Sequence, residues 1–156
     1  MLERDRDENG QARNARPRDR FGRPLPPGSI GVERVPDDLD LPPEQTLDYA
    51  QRLLDDGLAF NAHEVLEAAW KNGPESERSL WQGLAQYAVG LTHIQRGNPK
   101  GAHTLLERAI GRLTAIDRPP YRIDGPGLIA HAEYLLAELA AGHDISEREL
   151  LPRLRR

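Results

Sequence analysis

What most constrains this chain is the spacing of glycine and proline from Pro42 onward. Gly57, Gly73-Pro74, Gly97-Asn98-Pro99, Pro119-Pro120 and Gly142 cut the sequence into helix-length pieces. Between these breaks the apolar residues recur with the period of a helix, and no stretch reads as a convincing strand. The expected helices are 43–56, 59–72, about 75–96, 99–115 and 125–141. A short last helix to about residue 153 is suggested by the capping-box spacing of Ser146 and Glu149, with Arg155-Arg156 fraying. The fold class that follows is all-α: a compact bundle of five to six helices.

The segment before these helices is different. Residues 1–36 mix arginine and aspartate with glycine and proline and hold few apolar residues before Phe21, Leu25, Ile30 and Val32. Such a segment cannot bury enough surface to fold alone. It is read as an extended N-terminal arm, a tail over 1–20 and a docked stretch over 21–36, where each proline disfavours helix at the residue before it. Residues 37–156 form the single all-α domain.

Composition removes several classes. The chain has 156 residues and no cysteine, which excludes disulfides, thiolate catalysis and cysteine-ligated zinc. A formal net charge of -4 speaks against a nucleic-acid footprint or a polybasic membrane anchor. No apolar run approaches the length of a membrane span, and a cytoplasmic location is the default. Only Lys71 and Lys100 are lysine; the arginine bias is read as composition without functional weight.

Candidate chemistry concentrates on helices two and three. At about 100° per residue, Phe60, His63, Glu67 and Trp70 share one stripe of helix two, with Glu64 and Lys71 at the opposite edge. On helix three, Gln82, Gln86 and His93 align beside Val89 on a rod otherwise apolar through Leu80, Trp81, Leu84, Tyr87, Leu91 and Ile94. Helices joined by a short loop are antiparallel neighbours. The economical packing sets seam against seam, so that His63 and Glu67 meet Gln82, Gln86 or His93.

The succession Phe60-x-x-His63-Glu64-Val65-Leu66-Glu67-x-x-Trp70, Arg78-x-Leu80-Trp81-Gln82-Gly83-Leu84-x-Gln86, His93, Arg96-Gly97-Asn98 and Gly101-Ala102 resembles the bacterial domain of unknown function 309 family over about residues 47–113. The arm Arg23-Pro24-Leu25-Pro26-Pro27 is similar to the actinobacterial version. The resemblance implies an all-helical fold and a shared signature at His63, Glu64, Glu67, Trp70, Gln82 and Gln86. It supplies no established activity.

Three readings of the seam follow from its residue types. In the first, His63 and Glu67 at i and i+4, with His93 as a third ligand, hold a divalent metal. His-Glu-x-x-Glu is a relative of the zinc-protease His-Glu-x-x-His, and Glu64 would take the general-base position. In the second, no cofactor is present. Glu67 or Glu64 is a base with a raised pKa, His63 or His93 polarises it, and Gln82, Gln86 and Arg78 bind a small polar substrate behind Trp70, Trp81 and Tyr87. In the third, His63, Glu67, Gln82, Gln86 and Arg78 form a satisfied network that fixes helix register. A rival of another class is a protein-interaction module. Gly90, Gly97, Ala102, Leu106, Ala109 and Ile110 fall at tetratricopeptide-like hairpin positions, without a second copy. The partner is then a small molecule or a protein, with the oligomeric state open. His103, His131 and His143 are read as surface, packed or capping residues, with His131 to be compared with Glu67.

Overall fold

The computed structural model describes residues 16–156. The α-helices are α1 (Pro43–Asp55), α2 (Ala59–Asn72), α3 (Arg78–Gln95), α4 (Pro99–Thr114) and α5 (Gly125–Ala140), with 3-10 turns at Glu75–Glu77 and Glu147–Leu150. Each α-helix packs on the next in order. Among the described residues there is no strand, only isolated bridges pairing Arg18 with Pro24 and Ile123 with Arg155. The all-α architecture expected from the glycine and proline spacing is what the chain adopts.

The helix ends show how that spacing acts. After α1, Gly57 has φ +76, and its N–H donates to Leu54 O at 3.0 Å while Leu58 N–H reaches Leu53 O at 2.8 Å. After α3 the same pair of bonds runs from Gly97 to Ile94 O and from Asn98 to His93 O, at 3.0 and 2.8 Å. Both are Schellman closures, in which a left-handed residue satisfies the last carbonyls, and glycine takes that conformation without a Cβ penalty. Pro99 then opens α4 at a position that needs no donor, and Asn98 caps it by accepting from Gly101 N–H.

α3 is the central rod. Leu80, Trp81, Leu84, Tyr87, Ala88 and Leu91 are all buried along it, covered by α2 on one side and α4 on the other. Close approach of α3 and α4 depends on Gly90: a Cβ there would stand 2.8 Å from the Leu106 side chain. Leu66, Leu106, Leu113, Leu128 and Leu135 complete a core that extends from α2 to α5.

Two segments without helical periodicity are tied to this body. The expected free tail falls largely on residues 1–15, outside the described residues. From residue 16 onward the chain makes definite contacts. Arg20 donates to Asp56 O at 2.7 Å, Arg96 to Phe21 O at 2.7 Å, and Asn61 to Glu33 O at 3.1 Å, while Val35 is buried. Gly22 lies directly against the Phe60 ring, where any Cβ would overlap it.

The C-terminal expectation needs correction. The capping box at Ser146 and Glu149 is present, but it opens a 3-10 turn that ends at Leu150. Pro152 follows without a donor to extend the helix. Arg155-Arg156 does not fray: Asp124 N–H donates to Leu154 O at 2.8 Å and Arg156 N–H to Arg122 O at 3.0 Å. Buried Leu150 and Leu154 anchor the segment. Backbone pairing with a distant loop leaves no periodic trace in the sequence.

Candidate functional site

The buried face of α2 consists of Ala59, Asn61, Ala62, Val65 and Leu66. His63, Glu67 and Trp70 are rotated by roughly 90–150° from the centre of that face, and all three are half-buried. On α3, Gln82, Gln86, Val89 and His93 likewise form the one strip that is only half-buried. The two polar seams therefore flank the α2–α3 interface instead of filling it. The expected seam-on-seam packing is corrected: apolar side chains occupy the interface because they lose nothing on leaving water, whereas each seam keeps partial hydration.

Within the α2 seam the polar groups pair along the helix. His63 Nε2 lies 3.0 Å from Glu67 Oε2, and Lys71 Nζ lies 3.1 Å from Glu67 Oε1. His63 Nδ1 sits 3.2 Å from Phe60 O, and its ring tilts against Phe60 at 5.3 Å. These are i, i+3 and i, i+4 neighbours, which helix geometry brings together. The hydrogen bond from His63, aided by Lys71 and opposed by partial burial, holds the Glu67 carboxyl at about 2. That corrects the reading of Glu67 as a base with a raised pKa.

Glu64 behaves in the opposite way. Burial pushes its carboxyl up, against the pull of His63, Arg34 and Arg18. It faces the arm's cations on the far edge of α2, so the two carboxylates differ in environment as well as in direction of shift.

On α3 the remaining candidates separate. Gln86 accepts from Arg112 Nε of α4 at 3.2 Å, and the same guanidinium reaches Ser79 Oγ at 3.1 Å. Gln82 is half-buried on the same strip. His93 sits at the α3–α4 turn, with Nδ1 3.2 Å from Asn98 Nδ2 and its ring close against Gly101. Partial burial and nearby Arg96 lower its pKa. Arg78 lies over the Trp70 ring at 5.3 Å, a cation–π contact across the α2–α3 turn. The Trp70 Nε1 donor is buried without a hydrogen-bond partner among the described residues.

Trp81 and Tyr87 do not wall the seam. Both are core residues: Trp81 Nε1 donates to Glu77 Oε1 at 3.1 Å, and the Tyr87 hydroxyl meets His131 Nδ1. His131 Nε2 lies 2.7 Å from Glu149 O, so His131 belongs to this core chain and not to Glu67. Burial pushes the Tyr87 phenol up. This line from α3 through α5 to the Glu147–Leu150 turn escaped the sequence reading. Its one visible signal was a histidine among the apolar residues of α5.

The ligand triad is also corrected. Among the described residues no group of three or more His, Cys, Asp or Glu is placed to hold a metal ion, so His63, Glu67 and His93 do not converge as ligands. Clefts of about 200 and 250 Å³ lie elsewhere. Trp81 lines the first beside Thr46 and Asn72, and Arg20 and Gln95 line the second. No helix among the described residues is long and apolar enough to cross a membrane.

Comparison with known proteins bears out the family resemblance. Residues 47–105 match the family model described as Domain of unknown function (DUF309). The chain is similar to the uncharacterized protein YpuF of Bacillus subtilis (strain 168), at 42% identity over 60 residues, 38% of this chain and 34% of that relative. It therefore spans about a third of the length of the curated relative it matches. No solved structure matches.

Proposed function

For a chain whose residues 47–105 match that family model, we propose a cytoplasmic binding or scaffold protein. In this reading the signature residues are structural. The observation that carries it is that His63, Glu67 and Gln86 of the signature use partners inside the chain. His63 and Lys71 share Glu67, and Gln86 takes Arg112 from the neighbouring helix. The α2 pairs stay within their own helix and support it, whereas the Gln86–Arg112 contact crosses to α4 and fixes the register of α3 on it; neither needs an enclosed cavity. Specificity of packing is an attested use of polar networks in otherwise apolar bundles. The close α3–α4 hairpin through Gly90 supports the protein-interaction side of this reading.

A second reading, a metal-dependent hydrolase, has one observation in its favour. His63 Nε2 and Glu67 Oε2 point at each other at 3.0 Å, a spacing from which both could turn to a divalent cation if waters completed the shell. Metal analysis separates the two. Tag-free protein exposed to zinc, manganese and iron and then desalted is expected to retain no stoichiometric metal, and His63→Ala is expected to match it. Near-stoichiometric metal in the wild type that disappears in His63→Ala overturns the structural reading and favours the metal-dependent one.

A further inference from the structure

A cleft of about 1140 Å³ opens between α1 and the last residues of the chain. Five arginines line it: Arg52 from α1, Arg122 from the loop before α5, and Arg153, Arg155 and Arg156. Asp48 is the one carboxylate side chain among its lining residues, and it is occupied by Arg155. In a chain of formal net charge -4, this is a strong local reversal of sign. Arg153 is exposed and forms no ion pair among the described residues.

The arginines are held in place. Gln51 of α1 grips the last segment from both sides, donating to Pro152 O at 2.9 Å and accepting from Leu154 N–H at 2.8 Å. Arg156 N–H donates to Arg122 O at 3.0 Å, and the Arg122 side chain reaches Arg156 O. Tyr121 and Arg122 have φ of 60 and 61, a left-handed pair that side-chain-bearing residues adopt rarely. The fold thus keeps a left-handed loop and a backbone pairing that bring like charges together, a concentration of positive charge that favours an anion.

Leu39, Leu41 and the Tyr49 ring add apolar surface to the lining, and Arg52 lies over that ring at 5.7 Å. We propose that this cleft binds a small phosphate-bearing ligand with a ring or other apolar portion. The phosphates sit among Arg122, Arg153 and Arg156, and the apolar portion lies on Leu39, Leu41 and Tyr49. Guanidinium groups match phosphate oxygens two at a time, and several of them suit an oligophosphate better than a single carboxylate. The volume is at or just above the roughly 300–1,000 Å³ of ordinary small-ligand sites, which fits a molecule of nucleotide size. The inference is independent of the signature on α2 and α3, since four of the five arginines lie outside the matched residues 47–105.

Titration calorimetry on the full chain at about 0.15 M salt tests it with three probes: ATP, tripolyphosphate and adenosine. ATP is expected to bind with a Kd in the micromolar range, tripolyphosphate about tenfold or more weaker, and adenosine weaker still. Arg153→Glu, at an exposed and unpaired position, should weaken both phosphate probes by about tenfold or more while leaving the circular dichroism unchanged. Arg52→Glu is the second variant and should act in the same direction. No binding of ATP or tripolyphosphate up to about 1 mM, or equal binding in both variants, overturns the proposal. ATP binding no more tightly than tripolyphosphate overturns its apolar half.

Discussion

Replacing Glu67 by glutamine keeps the size of the side chain and removes the charge that His63 and Lys71 share. The carboxyl is held at about 2 against an ordinary 4.5, which at face value corresponds to about 3 kcal/mol. That figure is too large for this place. The Glu67 side chain is 35% exposed and that of Lys71 is 62% exposed, so water and salt screen both contacts, and exposed pairs typically contribute about 0.2–1 kcal/mol. A loss of about 1 kcal/mol at neutral pH is therefore expected. The sign with pH follows from the lowered folded-state value. The contribution is complete above about 4.5 and disappears as the pH falls from there towards 2. Urea unfolding of wild type and Glu67→Gln from pH 6 to pH 3 measures it, and the two stabilities should converge on acidification. A difference that stays constant with pH, or a variant more stable than wild type at pH 6, would refute the pairing.

Glu64→Gln gives the contrasting case: its folded-state pKa is raised, so the charge opposes folding at neutral pH. The variant should gain stability at pH 7 relative to pH 4, read by the same unfolding curves. Gly90→Val should cost about 1–3 kcal/mol through overpacking against Leu106, visible as a lowered urea midpoint with an unchanged slope. Tyr87→Phe removes the hydroxyl that meets His131 and leaves a half-buried ring nitrogen without that partner, at about 1 kcal/mol. Thermal unfolding of Tyr87→Phe, His131→Ala and the double variant should show the two losses to be less than additive.

The parts of the fold legible in the sequence are those written in local chemistry. Gly57 and Gly97 ended helices because only a left-handed residue completes those closures, and Pro43, Pro99 and Pro126 opened them within the first two helical positions. The candidate residues were legible as a set, but their surroundings were not. His63 and Glu67 could be assigned to one stripe from spacing, yet whether that stripe faced the core depended on the phase of Ala62 and Leu66, which pack against α3. Trp81 and Tyr87 read equally well as walls of a site or as core because aromatic residues suit either role; their rotation on α3 places them in the core. Arg52, Arg122 and Arg153 come from three separate segments, and nothing local says that they meet. Their meeting depends on the left-handed turn at Tyr121 and Arg122 and on the pairing of Leu154 with Asp124, both set by tertiary contacts.

A double-mutant cycle on Gln86 and Arg112 tests most directly whether the signature holds helices together. Gln86 lies in the matched segment and Arg112 beyond it on α4, and their 3.2 Å contact crosses the α3–α4 interface. With Gln86→Ala, Arg112→Ala and the double variant compared by urea unfolding, the account expects a coupling energy of about 1 kcal/mol. A coupling indistinguishable from zero, with Gln86→Ala as stable as wild type, would contradict it and leave Gln86 free to face a ligand.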